Sequence, residues 1–280
     1  MPFSWSLNPH MGCAHRCTFC YVRAFEARAE RPWDDRYGAS IRVKTNVADV
    51  LRRELGRLSW QREPVAIGAA TDPYQPAEGR YRLTRACIEA LGEAANPFSI
   101  ITRGPLVVRD ADVLAAAAQR ARVSVTFSVP TLDTEIWRRT EPGTPPPHQR
   151  LRALSQLVEA GIETSVGMAP LLPGLSDKPE LLAEVVRAAR AAGACGIWAN
   201  LLHLRPGTRE HFLAALERDW PEQLPEYERL YAGGRAYLPA AATEPTRARV
   251  RELAREHGVR DRRRVRLEPA PGAEQLRLAM

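Results

Sequence analysis

The chain has 280 residues, 45% of them hydrophobic, enough to bury a full core as one large α/β domain or as a domain with a short appendage. No run approaches the roughly 18 to 20 uncharged apolar residues of a membrane span, and the opening MPFSWSLNPHMGC lacks the basic-then-apolar order of a secretion signal, so a cytoplasmic protein with no membrane partner is expected. Net charge is +7 and 38 of the 40 basic residues are arginine; nine of these, between Arg247 and Arg266, face only Glu252, Glu256 and Asp261, a local excess of six. The basicity is therefore mostly a tail property, which reads as a solvated helix face or, more sharply, as a nucleic-acid contact.

Taken in order, short β-branched or apolar runs alternate with longer helical patterns, the sign of βα units around a parallel sheet. Six strands are expected: FSWSL (3–7), PVAIGAA (64–70), FSIIT (98–102), VSVTFSV (123–129), ETSVGMA (163–169) and GIWANLL (196–202). Between them NVADVLRRELGRL, LTRACIEALGEA, ADVLAAAAQRA, HQRLRALSQLVEAG and KPELLAEVVRAARAAG carry apolar residues at helical spacing. Six such units suggest a partial (β/α)6 barrel, open rather than closed, with the strands' C-terminal ends sharing one mouth. Residues 1–205 would form that core and residues 206–280 a helical, basic C-terminal extension. EPGTPPPHQ (141–149) and PLLPGLSDKP (170–179) are Pro-rich loops on the mouth side of their strands, suited to lids or substrate contacts, or merely stiff.

Five cysteines are an odd number, and three of them, Cys13, Cys17 and Cys20, crowd into eight residues just after the first strand. That suits metal binding in a reducing compartment better than a disulfide framework. Cys87 and Cys195 sit alone in apolar surroundings and read as small buried hydrophobes. Two metal readings compete for the C-x3-C-x2-C loop. A [4Fe-4S] cluster takes four ligands, so three cysteines leave one iron free. A structural zinc would recruit His15 or His10 as its fourth ligand, but such sites usually draw on two pairs well apart along the chain, and no second Cys/His pair follows.

Asn8-Pro9-His10-Met11-Gly12-Cys13-Ala14-His15-Arg16-Cys17-Thr18-Phe19-Cys20-Tyr21 resembles the cysteine loop of radical SAM enzymes, and more closely that of their spore-photoproduct-lyase-like branch. The resemblance spans roughly residues 5 to 205. It implies a [4Fe-4S] cluster on Cys13, Cys17 and Cys20 whose free iron chelates the amino and carboxylate groups of S-adenosylmethionine. Reductive cleavage would then give a 5′-deoxyadenosyl radical, with the protein supplying position and redox tuning. By the same resemblance Phe19 packs near the adenine, Thr71 and Asp72 meet the methionine amino group, Arg103 pairs with its carboxylate, Ser128 bonds the ribose and Met168 meets the adenine. Arg103 stands where the family carries Lys, and a guanidinium can grip a carboxylate with two hydrogen bonds.

One departure concerns the substrate. Spore photoproduct lyases carry a cysteine just before the second-strand Thr/Ser-Asp, where this chain has Ala69-Ala70, so repair of thymine lesions by that route is in doubt. Cys87, Cys195, Tyr21 and Tyr74 are other conceivable hydrogen donors. The expected partners are S-adenosylmethionine, an electron donor such as flavodoxin or ferredoxin, and a substrate that the tail and the resemblance place among nucleic acids, with a peptide or metabolite still open. A zinc- or cluster-containing nucleic-acid-binding protein without radical chemistry is the competing expectation. Trp33, Trp137, Trp198, His148 and His203 have no assigned role.

Overall fold

A computed structural model describes residues 3–261. Nine strands occur among them: β1 (Trp5–Leu7), β2 (His10–Met11), β3 (Arg42–Val43), β4 (Val65–Ile67), β5 (Phe98–Thr102), β6 (Val123–Ser128), β7 (Glu163–Leu171), β8 (Gly196–Leu201) and β9 (Arg260–Asp261). Seven form one sheet in the order β1-β4-β5-β6-β7-β8-β9, every neighbouring pair parallel. Spatial order follows chain order, so each strand returns through a crossover on the same side and all C-terminal ends share one rim. This is the α/β partial barrel expected, with a seventh strand, β9, added beyond the six. β2 and β3 pair antiparallel in a separate small ribbon that carries the cysteine loop.

The strand interiors alternate as a pleated strand must. On β6, Val123, Val125 and Phe127 enter the main core beneath the helices, while Ser124, Thr126 and Ser128 point to the opposite, inner face. There Thr126 Oγ1 meets Ser165 Oγ of β7 at 2.9 Å. The inner wall is thus polar and the outer wall apolar. Each fully buried aliphatic side chain on that outer wall contributes about 1.5–3 kcal/mol.

The five expected helices form at Val47–Leu55, Leu83–Glu93, Ala111–Ala118, Pro147–Glu159 and Pro179–Ala191. In Pro179–Ala191, a proline opens the first turn, Leu182, Val185, Val186 and Ala189 make the buried stripe, and Gly193 at φ +86° ends the run. The sequence pattern missed the short helices Arg23–Arg28, Pro76–Tyr81 and Thr134–Thr140, each under eight residues and too brief for periodicity to show.

Past residue 205, the helices Thr208–Asp219 and Leu224–Leu230 cover a second apolar cluster that includes Cys17 and Phe19. Helix Ala240–Glu256 is the crossover into β9, and its Val250, Leu253 and Ala254 join the main core. Of the basic run, Arg249 pairs with Glu252, Arg251 with Glu244, and Arg247 reaches Asn200 Oδ1 at 2.7 Å. Arg262, Arg263, Arg264 and Arg266 lie outside the described residues. Among the described residues no helix is long and apolar enough to cross a membrane.

Candidate active site at the barrel mouth

Three consecutive turns wind the cysteine loop. Cys13 carbonyl accepts from Arg16 N at 3.3 Å, Cys17 carbonyl from Cys20 N at 3.2 Å, and Cys20 carbonyl from Arg23 N at 3.1 Å. Arg16, at φ +52°, and Gly12, at φ +79°, supply the left-handed residues these reversals need. The coil is stitched to the rim from outside. Gln75, fully buried, accepts from Ala14 N at 2.9 Å and donates to Gly12 carbonyl at 3.2 Å, while Thr71 Oγ1 donates to that same carbonyl at 2.6 Å. Thr18 N donates to Thr140 carbonyl at 2.9 Å, Gly143 N to His15 carbonyl at 3.0 Å, and Thr208 Oγ1 to Cys20 carbonyl at 3.1 Å.

The first Pro-rich loop is therefore a buttress. A Cβ on Gly143 would stand 2.4 Å from Ala14 carbonyl, so only glycine lets this loop press against the cysteines. Trp137 braces it from behind, its Nε1 donating to Thr144 Oγ1 at 2.9 Å.

Cys13 and Cys17 are buried and Cys20 is half-buried, with its Sγ 3.5 Å from the Tyr37 hydroxyl. Burial pushes the Cys17 and Cys20 thiols up, and the charges of the neighbouring cysteines push the same way. Thiols that share a field in a dry pocket favour a cationic centre, which removes the cost of ionising them. Among the described residues no three His, Cys, Asp or Glu side chains are drawn in around a single ion. His10 is buried on β2 with neither ring nitrogen hydrogen-bonded, and His15 lies between Cys13 and the Asp72 carboxylate. The donor set fits a centre bound by three thiolates.

Asp72 ties three segments together. Its carboxylate accepts from Thr102 Oγ1 at 2.7 Å, Arg103 N at 2.6 Å and Tyr74 N at 2.8 Å, and it faces His15 Nδ1 at 3.4 Å. Burial would raise its pKa, but His15 and these donors outweigh that and hold it at about 2. Arg103, at the end of β5, lies over the Phe19 ring with 5.7 Å to the centroid. Its Nε donates to Glu141 Oε1 at 2.9 Å and its Nη2 to Ala169 carbonyl at 3.2 Å. Glu141 is shared with Arg150, whose Nη2 bonds its other oxygen and whose Nη1 donates to Ser128 carbonyl at 2.8 Å.

Cys13, Cys17, Cys20, Phe19, Thr71, Asp72, Arg103 and Ser128 thus meet at one rim. Met168 does not join them with its side chain: it is fully buried in the main core, and Gly167 and Ala169 turn inward instead. The Trp198 ring lies against Gly167, where a Cβ would come within 2.8 Å of it. Cys87 is sealed under helix Val47–Leu55, and Cys195 lies at the N-terminal end of β8, opposite the mouth. Tyr74 is buried with its hydroxyl on Asp110 Oδ2 at 3.1 Å. Tyr21 remains at the mouth, its hydroxyl donating to Ala69 carbonyl.

Sequence reasoning missed Glu141, Arg150, Gln75 and Tyr37. An acid and an arginine bracketing the stiff loop EPGTPPPHQR were the available signal for the first two; nothing marked the others. It left His203 without a role, yet His203 bridges Tyr21 at 5.6 Å and Tyr237 at 5.2 Å between ring centroids. Arg205 sits 5.7 Å from the Tyr237 ring and bonds its hydroxyl at 2.9 Å. These rings join the cysteine loop after β2 to His203, just past β8, and to Tyr237, just before helix Ala240–Glu256.

Residues 7–186 match the sequence profile of the radical SAM superfamily. The uncharacterized protein Rv2578c of Mycobacterium tuberculosis is 43% identical over 254 residues, covering 90% of this chain and 74% of its own. In fold the chain is similar to a cysteine-to-serine variant of spore photoproduct lyase, with TM-score 0.67, 15% identity, and 91% of this chain and 74% of that one covered. A double variant of the same enzyme, with bound AdoMet and dinucleoside spore photoproduct, superposes with TM-score 0.65 at 18% identity over 89% of this chain and 74% of that one. With its parallel partial barrel and its three-cysteine loop at the mouth, the chain belongs to the radical SAM superfamily, enzymes that use a [4Fe-4S] cluster and S-adenosylmethionine.

Proposed function

We propose that Cys13, Cys17 and Cys20 hold the cluster and that Phe19, Thr71, Asp72, Arg103 and Ser128, with the backbone beside Met168, bed the S-adenosylmethionine. The observation that carries this is the buried coil of three cysteines beside the Arg103 guanidinium. When bound, the reduced cluster supplies the electron that splits the carbon–sulfur bond of S-adenosylmethionine to a 5′-deoxyadenosyl radical. The protein's own share is positional. Arg103 offers charge to a carboxylate, Asp72 and Thr71 hold the loop in register, and the Pro-rich buttress keeps water from the thiols. A cytoplasmic flavodoxin or ferredoxin fits as electron donor.

For substrate we favour a nucleic acid. Tyr21, His203 and Tyr237 form a run of rings leading from the cysteine loop to the surface, where Tyr237 is 56% exposed under the Arg205 guanidinium. Flat rings beside arginine suit an unpaired base, with each stack contributing about 1–3 kcal/mol. The departure at Ala70 argues for a reaction other than the thymine-lesion repair of spore photoproduct lyases.

The test is anaerobic reconstitution. About four irons and four sulfides per chain are expected, with 5′-deoxyadenosine formed after dithionite reduction. Replacing any one of the three cysteines by alanine should abolish cluster retention or cleavage, whereas Cys87→Ala should keep both. One zinc per chain and no visible chromophore would overturn the reading. Binding of fluorescent single-stranded oligonucleotides, weakened by Tyr237→Ala, checks the substrate class separately.

A further inference from the structure

The buried charges at the mouth do not balance. Asp72 is matched by His15. Glu141, in contrast, is one carboxylate between two guanidiniums, and both Glu141 and Arg150 are sealed from solvent. A buried triad of this kind carries one net positive charge, which costs free energy unless anions complete it: the Cys17 thiolate beside Arg103 on one side and a ligand at the mouth on the other.

The geometry says which member faces that anion. Arg150 spends its donors inside the protein, on Pro145 carbonyl at 2.9 Å, Ser128 carbonyl at 2.8 Å, Thr144 Oγ1 at 2.6 Å and Glu141. Arg103 spends Nε on Glu141 and one Nη2 hydrogen on Ala169. Its Nη1 makes no hydrogen bond among the described residues and is not among their buried unpartnered atoms, so it faces the open mouth. Were Arg150 absent, Glu141 would neutralise Arg103 and leave nothing for a ligand.

We propose that Glu141 and Arg150 are positioning residues for the carboxylate of S-adenosylmethionine: Glu141 fixes Arg103 through Nε so that Nη1 points into the mouth, and Arg150 offsets the charge of Glu141 so that the cluster of three keeps a net positive field there. This rests on the reading of Arg103 given above. It adds that the Pro-rich buttress, which carries Glu141, sets both the cysteine coil and the carboxylate grip.

The experiment is equilibrium binding to reconstituted protein with two ligands: S-adenosylmethionine, and 5′-methylthioadenosine, which keeps the adenosine and the sulfur but lacks the amino-acid carboxylate. Arg150→Met should weaken S-adenosylmethionine by about tenfold to hundredfold, the equivalent of one charge-assisted hydrogen bond. Binding of 5′-methylthioadenosine should stay within about twofold, a shift small against that bond. Arg150→Lys, which restores the charge without the fork, should recover most of the loss. A purely structural role would weaken both ligands alike, and lysine would not rescue it. The reduced cluster's electron paramagnetic resonance signal gives a second readout: its change on adding S-adenosylmethionine should require a higher ligand concentration in Arg150→Met.

Equal loss for both ligands, no loss for either, or a shift in cluster potential with unchanged S-adenosylmethionine affinity would each overturn the proposal. If Arg150→Met does not fold, as thermal unfolding before reconstitution would reveal, Arg150→Lys alone still decides, because the proposal requires it to bind within about threefold of the parent, under half the energy of that bond. A parent protein that takes up no cluster would sink the functional reading itself, and the proposal with it.

Discussion

Two groups of arginines in this chain have opposite character. On helix Ala240–Glu256, Arg249 faces both Glu252 and Glu256 and Arg251 faces Glu244, so each guanidinium has at least one carboxylate of its own at the surface. At the mouth, Arg103, half-buried, and Arg150, fully buried, share one buried glutamate. The dense run in the tail draws the eye in sequence, yet the pair separated by nearly fifty positions holds the uncompensated charge. Density along the chain measures solvation. Stoichiometry in a buried site measures what the protein is prepared to bind.

Four substitutions break or sharpen that contrast. The largest effect is expected for Glu141→Ala, which strands the sealed Arg150 guanidinium without its carboxylate and should cost about 3–5 kcal/mol in urea unfolding. Next comes Gly143→Ala: the added methyl meets Ala14 carbonyl, and the cost should be about 1–3 kcal/mol, with reduced iron uptake because the cysteine coil moves too.

Acid gives a third and gentler probe. Burial alone would lift the Glu141 pKa, but Arg150 and Arg103 outweigh it and hold the carboxyl below its ordinary 4.5. A depressed carboxyl lends stability that is present above its unfolded value and is lost as pH falls through the folded one. The gap in unfolding free energy between the parent and Glu141→Gln should therefore narrow as pH drops from about 5 toward about 3. A gap that stayed constant would mean the guanidiniums do not hold the carboxyl ionised. Smallest is Arg249→Ala, expected within about 0.5 kcal/mol of the parent, since an exposed intrahelical pair is screened. A loss above about 2 kcal/mol there would erase the distinction between the two groups.

The sheet was legible because its six main strands are apolar runs bounded by turn residues, and the helices between them carry clean stripes such as Leu182, Val185, Val186 and Ala189. β9 was not, because two residues ending in aspartate have no pattern to display. Within the site, the three cysteines announce themselves by spacing, and strand ends direct attention to Thr71, Asp72, Arg103 and Ser128. The direction of a side chain is another matter. Met168 looked available at the end of its strand, but strand alternation sends it outward into the core with Val166. Glu141 and Arg150 were invisible as partners because their meeting depends on how a proline-rich loop folds back, a tertiary fact that local propensity does not encode. Of the basic tail, the described part carries glutamates three and seven positions from the arginines they pair with, while Arg262, Arg263, Arg264 and Arg266 lie outside the described residues.

The seventh strand has a consequence of its own. A parallel sheet that never closes leaves a row of unpaired amides and carbonyls along its last strand, a ready template for another copy of the chain. Arg260 and Asp261 pair with Gly196 and Ile197 of β8, the start of that row, and bring two charged side chains to the border. A chain cut after Glu256 should keep the cysteine coil yet bare the border of β8, so that it self-associates at concentrations where the full chain stays dispersed. Among the described residues, it is this two-residue strand that stands as a stopper against intermolecular sheet growth.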